Sequence, residues 1–476
     1  MPDLDAQVRK EGVRILRLCK DLSEFILSGQ ARKTYLHETG NFLEHIQKSL
    51  KAIDEFIRKT IDKKMAPPLA KVKLKELDLI REGLSWLYTF VKEAIDADTL
   101  SMPYSLTIFL NHTARELQKP DKVSLVVLGS SDLMYYKYNL KRLRDLTKKL
   151  KYVIHNYPVL PENIGILKFP YCSAQEILVN CILFHEMGHY IYEKTGLQRY
   201  FYNSISDNLS AFIKDKKIME KITAPLLVQR RLFNYVANLM LRWADEIFAD
   251  IFAIRTLGPA YHLACWEMEQ ILTTKIKRNR NFSETHPAND FRFQMHAKWL
   301  SDGKWDEIIK KRTLHVFNRL KDCEKLEFKN NDFSINYKSP LEDKPDLEKK
   351  LHNWILQEFE KMVKKIEPVV SAELENFENP ITDFEKNDSL VTDCLEHGVV
   401  PSTVYNENKQ RCHPSPTTIL NSGFFFYLGG MDTLLEKVES KGHPPLDKRI
   451  NYEKRLNQWL AKAIEDWQIL LEEGKL

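Results

Sequence analysis

The chain has 476 residues, 43% of them apolar and 29% charged, with 71 basic against 66 acidic side chains. That length exceeds one simple core, so two or three structural units are expected. The net charge of +5 is too small to mark a nucleic-acid or anionic-membrane surface, and no stretch approaches the roughly 18 consecutive apolar residues of a membrane span.

The start, "MPDLDAQVRKEGVRIL", carries Asp3 and Asp5 and lacks an apolar h-region, so it does not read as a secretory signal. A soluble, cytoplasmic protein is expected. Seven scattered cysteines without a C-x-x-C pair suggest neither a disulfide framework nor a cysteine zinc site. With only 16 Gly and many Leu, Lys and Glu, the composition favours helix.

Residues 1–100 read as a helical region, with Val13, Leu16, Leu18, Leu22, Phe25 and Ile26 as an apolar face and "APPLAK" at 66–71 as a break. Two β-branched runs, "VSLVVLGSSD" (123–132) and "NIGILKFPY" (163–171), are the strand candidates, and the second is expected to offer an edge to an extended peptide. "KIKRNR" (275–280) reads as a solvated basic turn, and no nucleic-acid partner is expected. Residues 328–347 and 366–418 read as polar linkers, the acidic "AELENFENPITDFEKND" within them as a solvated loop. Helical periodicity returns from Thr418 onward. The expected fold is mainly α (α+β) with a small sheet: an N-terminal helical region (1–100), a core (101–300) and a C-terminal helical region with linkers (301–476).

The chemistry concentrates in "AQEILVNCILFHEMGHYIYEKTG", residues 174–196. Ser173 and Glu176 have capping-box spacing and Gly196 a stop position, so one buried helix is expected between them. His185 and His189, at i and i+4, lie one turn apart on one face, where both imidazoles reach a single zinc ion. Glu186 projects beside them, placed to take a proton from a water on the metal. Gly188 thins that side of the helix, so another segment or a substrate can approach. A catalytic zinc needs a third protein ligand. The helical run "NYVANLMLRWADEIFADIFAIRTLGPA" supplies the strongest candidate, Glu246, with Asp250 four residues on amid Ile247, Phe248, Ile251 and Phe252. Asp245 competes with Glu246 but has no acid four positions on.

H-E-x-x-H followed on a later helix by "EIFAD" resembles the zincin metallopeptidases of the gluzincin type. The resemblance implies His185, His189 and Glu246 as zinc ligands, Glu186 as general base and Asp250 as the residue orienting His185. "ETHPANDFRF" is similar to the Thr-His-Pro…Arg segment of the CAAX-prenyl-protease-like and heat-shock membrane peptidases, which brings in His286 and Arg292. The chain departs from those relatives in lacking membrane spans and in its large helical flanks. "GHPPLDKRI" (442–450) repeats the spacing with His443 and Arg449; its position far beyond Glu246 favours the earlier copy for the site and helix-start chemistry for Pro444-Pro445. His286, Arg292 and Tyr190 are the candidate donors to an oxyanion, packing being the plainer role of Tyr190.

The reading is a zincin-like core containing Zn²⁺ that hydrolyses a peptide bond of an intracellular protein. Two alternatives remain: a zinc hydrolase of another amide or ester, and an inactive binding protein of zincin fold. By analogy alone, a cytosolic zincin with helical flanks resembles bacterial defence and toxin-like proteases.

Overall fold

Apolar residues alternating at intervals of four and three organise the first hundred residues. Val8, Gly12, Ile15, Cys19, Leu22 and Ile26 form the buried stripe of α1 (Leu4–Gln30), which packs on α2 (His37–Ile61) and α3 (Pro67–Thr99). Val13 and Leu18, expected on that stripe, face outward at 50% and 48% exposure, because a seven-residue repeat admits only the two positions that keep returning to the seam. The computed structural model describes residues 3–30, 37–99, 104–117, 124–130, 134–138, 140–161, 164–213, 225–272, 281–324, 334–341, 344–375, 380–406, 408–431 and 446–475. The chain is mainly helical with a few small sheets. It divides into two compact units, Met1–Gln175 and Glu176–Leu476, and the division falls inside the 101–300 segment.

In the first unit, α4 (Tyr104–Leu117), β1 (Ser124–Ser130), β2 (Tyr136–Lys137), α5 (Lys141–Val153) and β3 (Ile164–Pro170) follow the three long helices. The sheet order is β1-β3-β2, with β1 parallel to β3 along its full length and β2 antiparallel on the other side. β3 is therefore the central strand, with all seven residues buried, and it offers no edge to a peptide. The outer side of β1 is partly covered: Asn111 on α4 donates to the Leu125 carbonyl at 3.0 Å and accepts its N–H at 2.9 Å.

The second unit contains α6 (Leu183–Lys194), α7 (Leu197–Ile213), α8 (Pro225–Leu257), α9 (Pro259–Leu272), β4 (Asn281–Phe282), α10 (Asn289–Asp302), α11 (Asp306–Arg312), α12 (Leu314–Glu324), β5 (Ser334–Ile335), α13 (Pro345–Glu373), α14 (Pro380–Glu396), β6 (Val404–Tyr405), β7 (Arg411–Cys412), α15 (Pro416–Phe425) and α16 (Leu446–Glu472). α8 is its central helix and packs against α6, α7, α10 and α13. Trp243, Ala244, Ile247, Phe248, Ala249, Ile251 and Phe252 on α8 are fully buried. Among the described residues, no helix is long and apolar enough to cross a membrane.

Three features of the sequence reading are corrected here. First, α6 begins at Leu183, not beside Ser173. A buried 3-10 turn, Val179–Ile182, leads directly into it, and Ile182 at the N-cap already has helical φ and ψ and makes no side-chain cap. The helix does stop where expected, before Gly196 at φ +68°. Second, most of the 366–418 linker is helix. Pro380 starts α14, on which Ile381, Phe384, Val391 and Leu395 return to one buried face. Two of its acids are bonded rather than solvated. Asp383 accepts from the Ser415 N–H and Thr418 hydroxyl at the start of α15, and Asp388 from Ser422. Third, the 328–347 linker contains β5 and the first turn of α13 among its described residues.

The corner between α8 and α9 is tightly specified. Gly258 turns it at φ +63°, where a Cβ would lie 2.7 Å from the Trp305 ring. Asn421 of α15, wholly buried, donates to the Leu257 carbonyl at 2.7 Å and accepts the Ala260 N–H at 2.8 Å, satisfying both helix ends.

At the crossing of α6 and α8, a Cβ on Gly188 would sit 2.7 Å from the Ala249 Cα. Backbone cannot yield as a side-chain tip can, so the helices would have to part. An alanine in mid-helix gains about 0.5–1 kcal/mol over glycine, while overpacking costs about 1–3 kcal/mol. Gly188→Ala is therefore expected to lower the denaturation midpoint despite its better helix propensity; a midpoint at or above wild type would show that the crossing has slack.

Candidate metal centre

His185, His189 and Glu246 are brought together by that crossing. One ligand atom from each lies within 4.8 Å of the others. The two imidazoles meet at 82° with centroids 4.6 Å apart. Both present Nε2 to the same carboxylate: His185 Nε2 is 3.4 Å from Glu246 Oε2, and His189 Nε2 is 3.5 Å from Oε1. Glu246 Oε2 is buried without a hydrogen-bond partner. A buried carboxylate oxygen with no donor is costly, and a cation is the partner this donor set fits.

Each histidine is held through its other nitrogen. His185 Nδ1 is 2.9 Å from Asp250 Oδ1, and His189 Nδ1 is 2.7 Å from Asp245 Oδ1. Carboxylates at Nδ1 favour the tautomer whose Nε2 lone pair is free for a metal. Asp245, set aside in the sequence as a competitor of Glu246, holds the second histidine instead. Residues i and i+1 on a helix point about 100° apart, so Asp245 reaches the histidine that Asp250 does not.

Asp250 has no exposure to solvent. Arg292 of α10 grips it with two nitrogens, Nε to Oδ2 at 2.8 Å and Nη2 to Oδ1 at 2.7 Å. The Tyr261 hydroxyl of α9 donates to Oδ1 at 2.5 Å, and His296 Nε2 of α10 lies 3.3 Å from Oδ2. Sequence reasoning missed Tyr261 and His296. Nothing local marks them, since a Tyr or His in an apolar helix usually reads as core.

His286 sits half exposed at the site's rim, its Nε2 3.5 Å from Glu246 Oε1. Its loop is built for that position. Trp243 on α8 donates to the Ser283 carbonyl at 2.9 Å, Ser283 Oγ accepts the His286 N–H at 2.8 Å, and the Thr285 hydroxyl lies 2.7 Å from His286 Nδ1. Arg292 Nη1 is 3.8 Å from Glu246 Oε2. Glu186 is buried in the first turn of α6, and Tyr190 is buried with its ring under the Lys194 ammonium at 5.5 Å. Of the second H-P-x-x-x-x-R copy, His443 and Pro444 lie outside the described residues, and Arg449 pairs with Glu453 at 3.2 Å.

The electrostatics are those of a site that attracts a cation. Glu246 and Asp250 both face the guanidinium of Arg292. Burial alone would lower the His185 pKa, but hydrogen bonds to Asp250 and Glu246 and their charges hold it up at about 10. Burial likewise pushes Glu246 up, and the neighbouring His189, His185 and Arg292 outweigh it, bringing the carboxyl down to about 2. Asp250 is held well below its ordinary range because Arg292 and His296 overcome its burial.

No family model, curated protein or solved structure matches the chain. The assignment of the site therefore rests on its own residues.

Two predictions follow from this geometry. The purified protein should hold about one zinc per chain, and alanine at His185, His189 or Glu246 should remove most of it, as elemental analysis would show. Full retention by Glu246→Ala would move the third ligand elsewhere. The second concerns pH. In the metal-free protein, His185 stays protonated through neutral pH, so metal must displace a proton. Affinity should then rise by roughly tenfold per pH unit from about 7 towards 10, with proton release in calorimetry across buffers of different ionisation enthalpy. The metal-free fold draws stability from the same raised pKa; that contribution is complete below 6.5 and lost as pH climbs through about 10.

Proposed function

We propose that the chain is a zinc metallopeptidase of the gluzincin type, hydrolysing a peptide bond of a protein or peptide in the cytoplasm. The observation that carries this reading is the convergence of two carboxylate-held imidazole Nε2 atoms on one carboxylate, that of Glu246, with Glu186 in the same helical turn. Two nitrogens and one carboxylate suit zinc, and three protein ligands leave a fourth position open, as catalytic rather than structural sites do. When bound, zinc supplies a Lewis acid that lowers the pKa of water and polarises the scissile carbonyl.

In this reading Glu186 takes the proton of the attacking water and returns it to the leaving nitrogen. His286 is the donor to the developing oxyanion. The Thr285 hydroxyl can serve either tautomer at Nδ1; the one in which it donates there puts the proton of neutral His286 on Nε2, the nitrogen on the Glu246 side. Burial lowers its pKa, which favours that neutral form. Arg292 is committed to Asp250 through two nitrogens and acts as a clamp. Asp245 and Asp250 fix the ligand histidines.

Glu186→Gln tests the reading because it removes the base and keeps the volume. The variant should retain zinc and melt as wild type does, while hydrolysis of a quenched-peptide library falls by about 10²–10⁴-fold or more. Equal hydrolysis by wild type and variant would sink the peptidase assignment. A wild type that cleaves esters or small amides but no peptide would support the other hydrolase reading.

A further inference from the structure

We infer that Tyr261 is a positioning residue of the metal centre, fixing the ring of His185 through a hydroxyl shared between that ring and Asp250. The inference rests on the metal reading and goes beyond it by naming what sets the geometry of one ligand. The Tyr261 hydroxyl is 3.0 Å from His185 Nδ1 and 2.5 Å from Asp250 Oδ1, while those two atoms are 2.9 Å from each other. The three groups form a closed triangle. Asp250 is acceptor-only as a carboxylate, so the phenolic proton goes to it, and the phenolic oxygen is left to accept from the Nδ1–H. His185 Nδ1–H thus has two acceptors on one side, and rotation of the ring loses both.

The ring planes of His185 and Tyr261 lie 8° apart with centroids 6.0 Å apart, which keeps the hydroxyl near the plane of the imidazole. Tyr261 itself has no freedom. It is fully buried, and its place on α9 is set three residues earlier at the Gly258 corner, where Asn421 ties both helix ends. On its far side the chain continues through Asp250 to His296, whose Nδ1 is 3.3 Å from that of His262. His189 Nδ1 is held by a different carboxylate, 2.7 Å away. Its carboxylate, Asp245, is about one-third exposed, so water can compete there.

The test is Tyr261→Phe, which deletes only the hydroxyl, read by metal affinity and by the visible spectrum of the cobalt-substituted protein. Tyr235→Phe is the control. That buried tyrosine on α8 also loses a hydrogen bond, 3.0 Å to His352 Nε2, at a place with no metal role. Tyr261→Phe should weaken zinc and cobalt binding by about 10–100-fold in chelator competition and shift the cobalt ligand-field bands. Tyr235→Phe should leave both at wild type even if its melting temperature falls as far. Wild-type affinity and spectrum in Tyr261→Phe overturn the inference while leaving the metal reading intact. A wild type that takes up neither metal overturns both. If Tyr261→Phe does not fold, long-range nitrogen–proton spectra of labelled histidine in metal-loaded wild type decide. A hydrogen-bonded proton on His185 Nδ1 supports the inference, and an unprotonated Nδ1 overturns it.

Discussion

A carboxylate with no access to water has to be neutralised and hydrogen-bonded from every side, and Asp250 meets that demand by drawing on three helices besides its own. α6 brings His185, α9 brings Tyr261, and α10 brings Arg292 and His296. Removing any one of these would leave charge or a lone pair uncompensated in a medium of low dielectric. The relative positions of the four helices are thus constrained by one side chain, four residues from Glu246 on the same helix. The apolar packing around α8 supplies most of the stabilisation, as burial does generally. The polar hub specifies which arrangement of that packing is adopted.

The parts of this site legible in the sequence are those set by local periodicity. His185 and His189 are one turn apart, Glu246 and Asp250 are one turn apart, and each pair necessarily shares a helix face. The Gly-Pro stop after Leu257 and the two longer strands are local signals of the same kind. What could not be read is which residues meet across the crossing. Tyr261 is 76 positions from His185, and nothing in "GPAYHLAC" separates a hydrogen-bonded tyrosine from a packed one. Asp245 was passed over for having no acid four residues on, a test that asks about its own face when its role is decided by the helix opposite.

A different failure explains the linkers. The prolines and acids of 366–418 mark the segment as polar, and such bulk character conceals a stripe one residue in three or four wide. Ile381, Phe384, Val391 and Leu395 suffice to seat one face of α14, and Phe384 alone meets Trp305 edge-on at 5.2 Å and Phe425 edge-on at 5.8 Å. The acids between them look like solvation in one dimension. In three, Asp383 caps the start of α15, so it helps hold the helix from which Asn421 reaches the α8–α9 corner. A segment read as loop therefore belongs to the support of the metal centre.

The relation between metal and fold follows from where these supports lie. In a small zinc module the protein has too little core to fold alone, and metal binding supplies the missing free energy. Here the residues behind the ligands are large and fully buried, among them Trp243, Phe248, Phe252, Tyr261, Trp299 and Phe359. The ligand nitrogens have carboxylate partners of their own, and the His286 loop is tied to α8 by Trp243. Such a site is built without a metal, so on the proposed zinc reading the binding free energy would go to holding the ion rather than to ordering the chain. Under the proposed zinc reading, three ligands fixed in advance would leave a fourth position free for chemistry, whereas a metal kept only for structure gains by closing its shell.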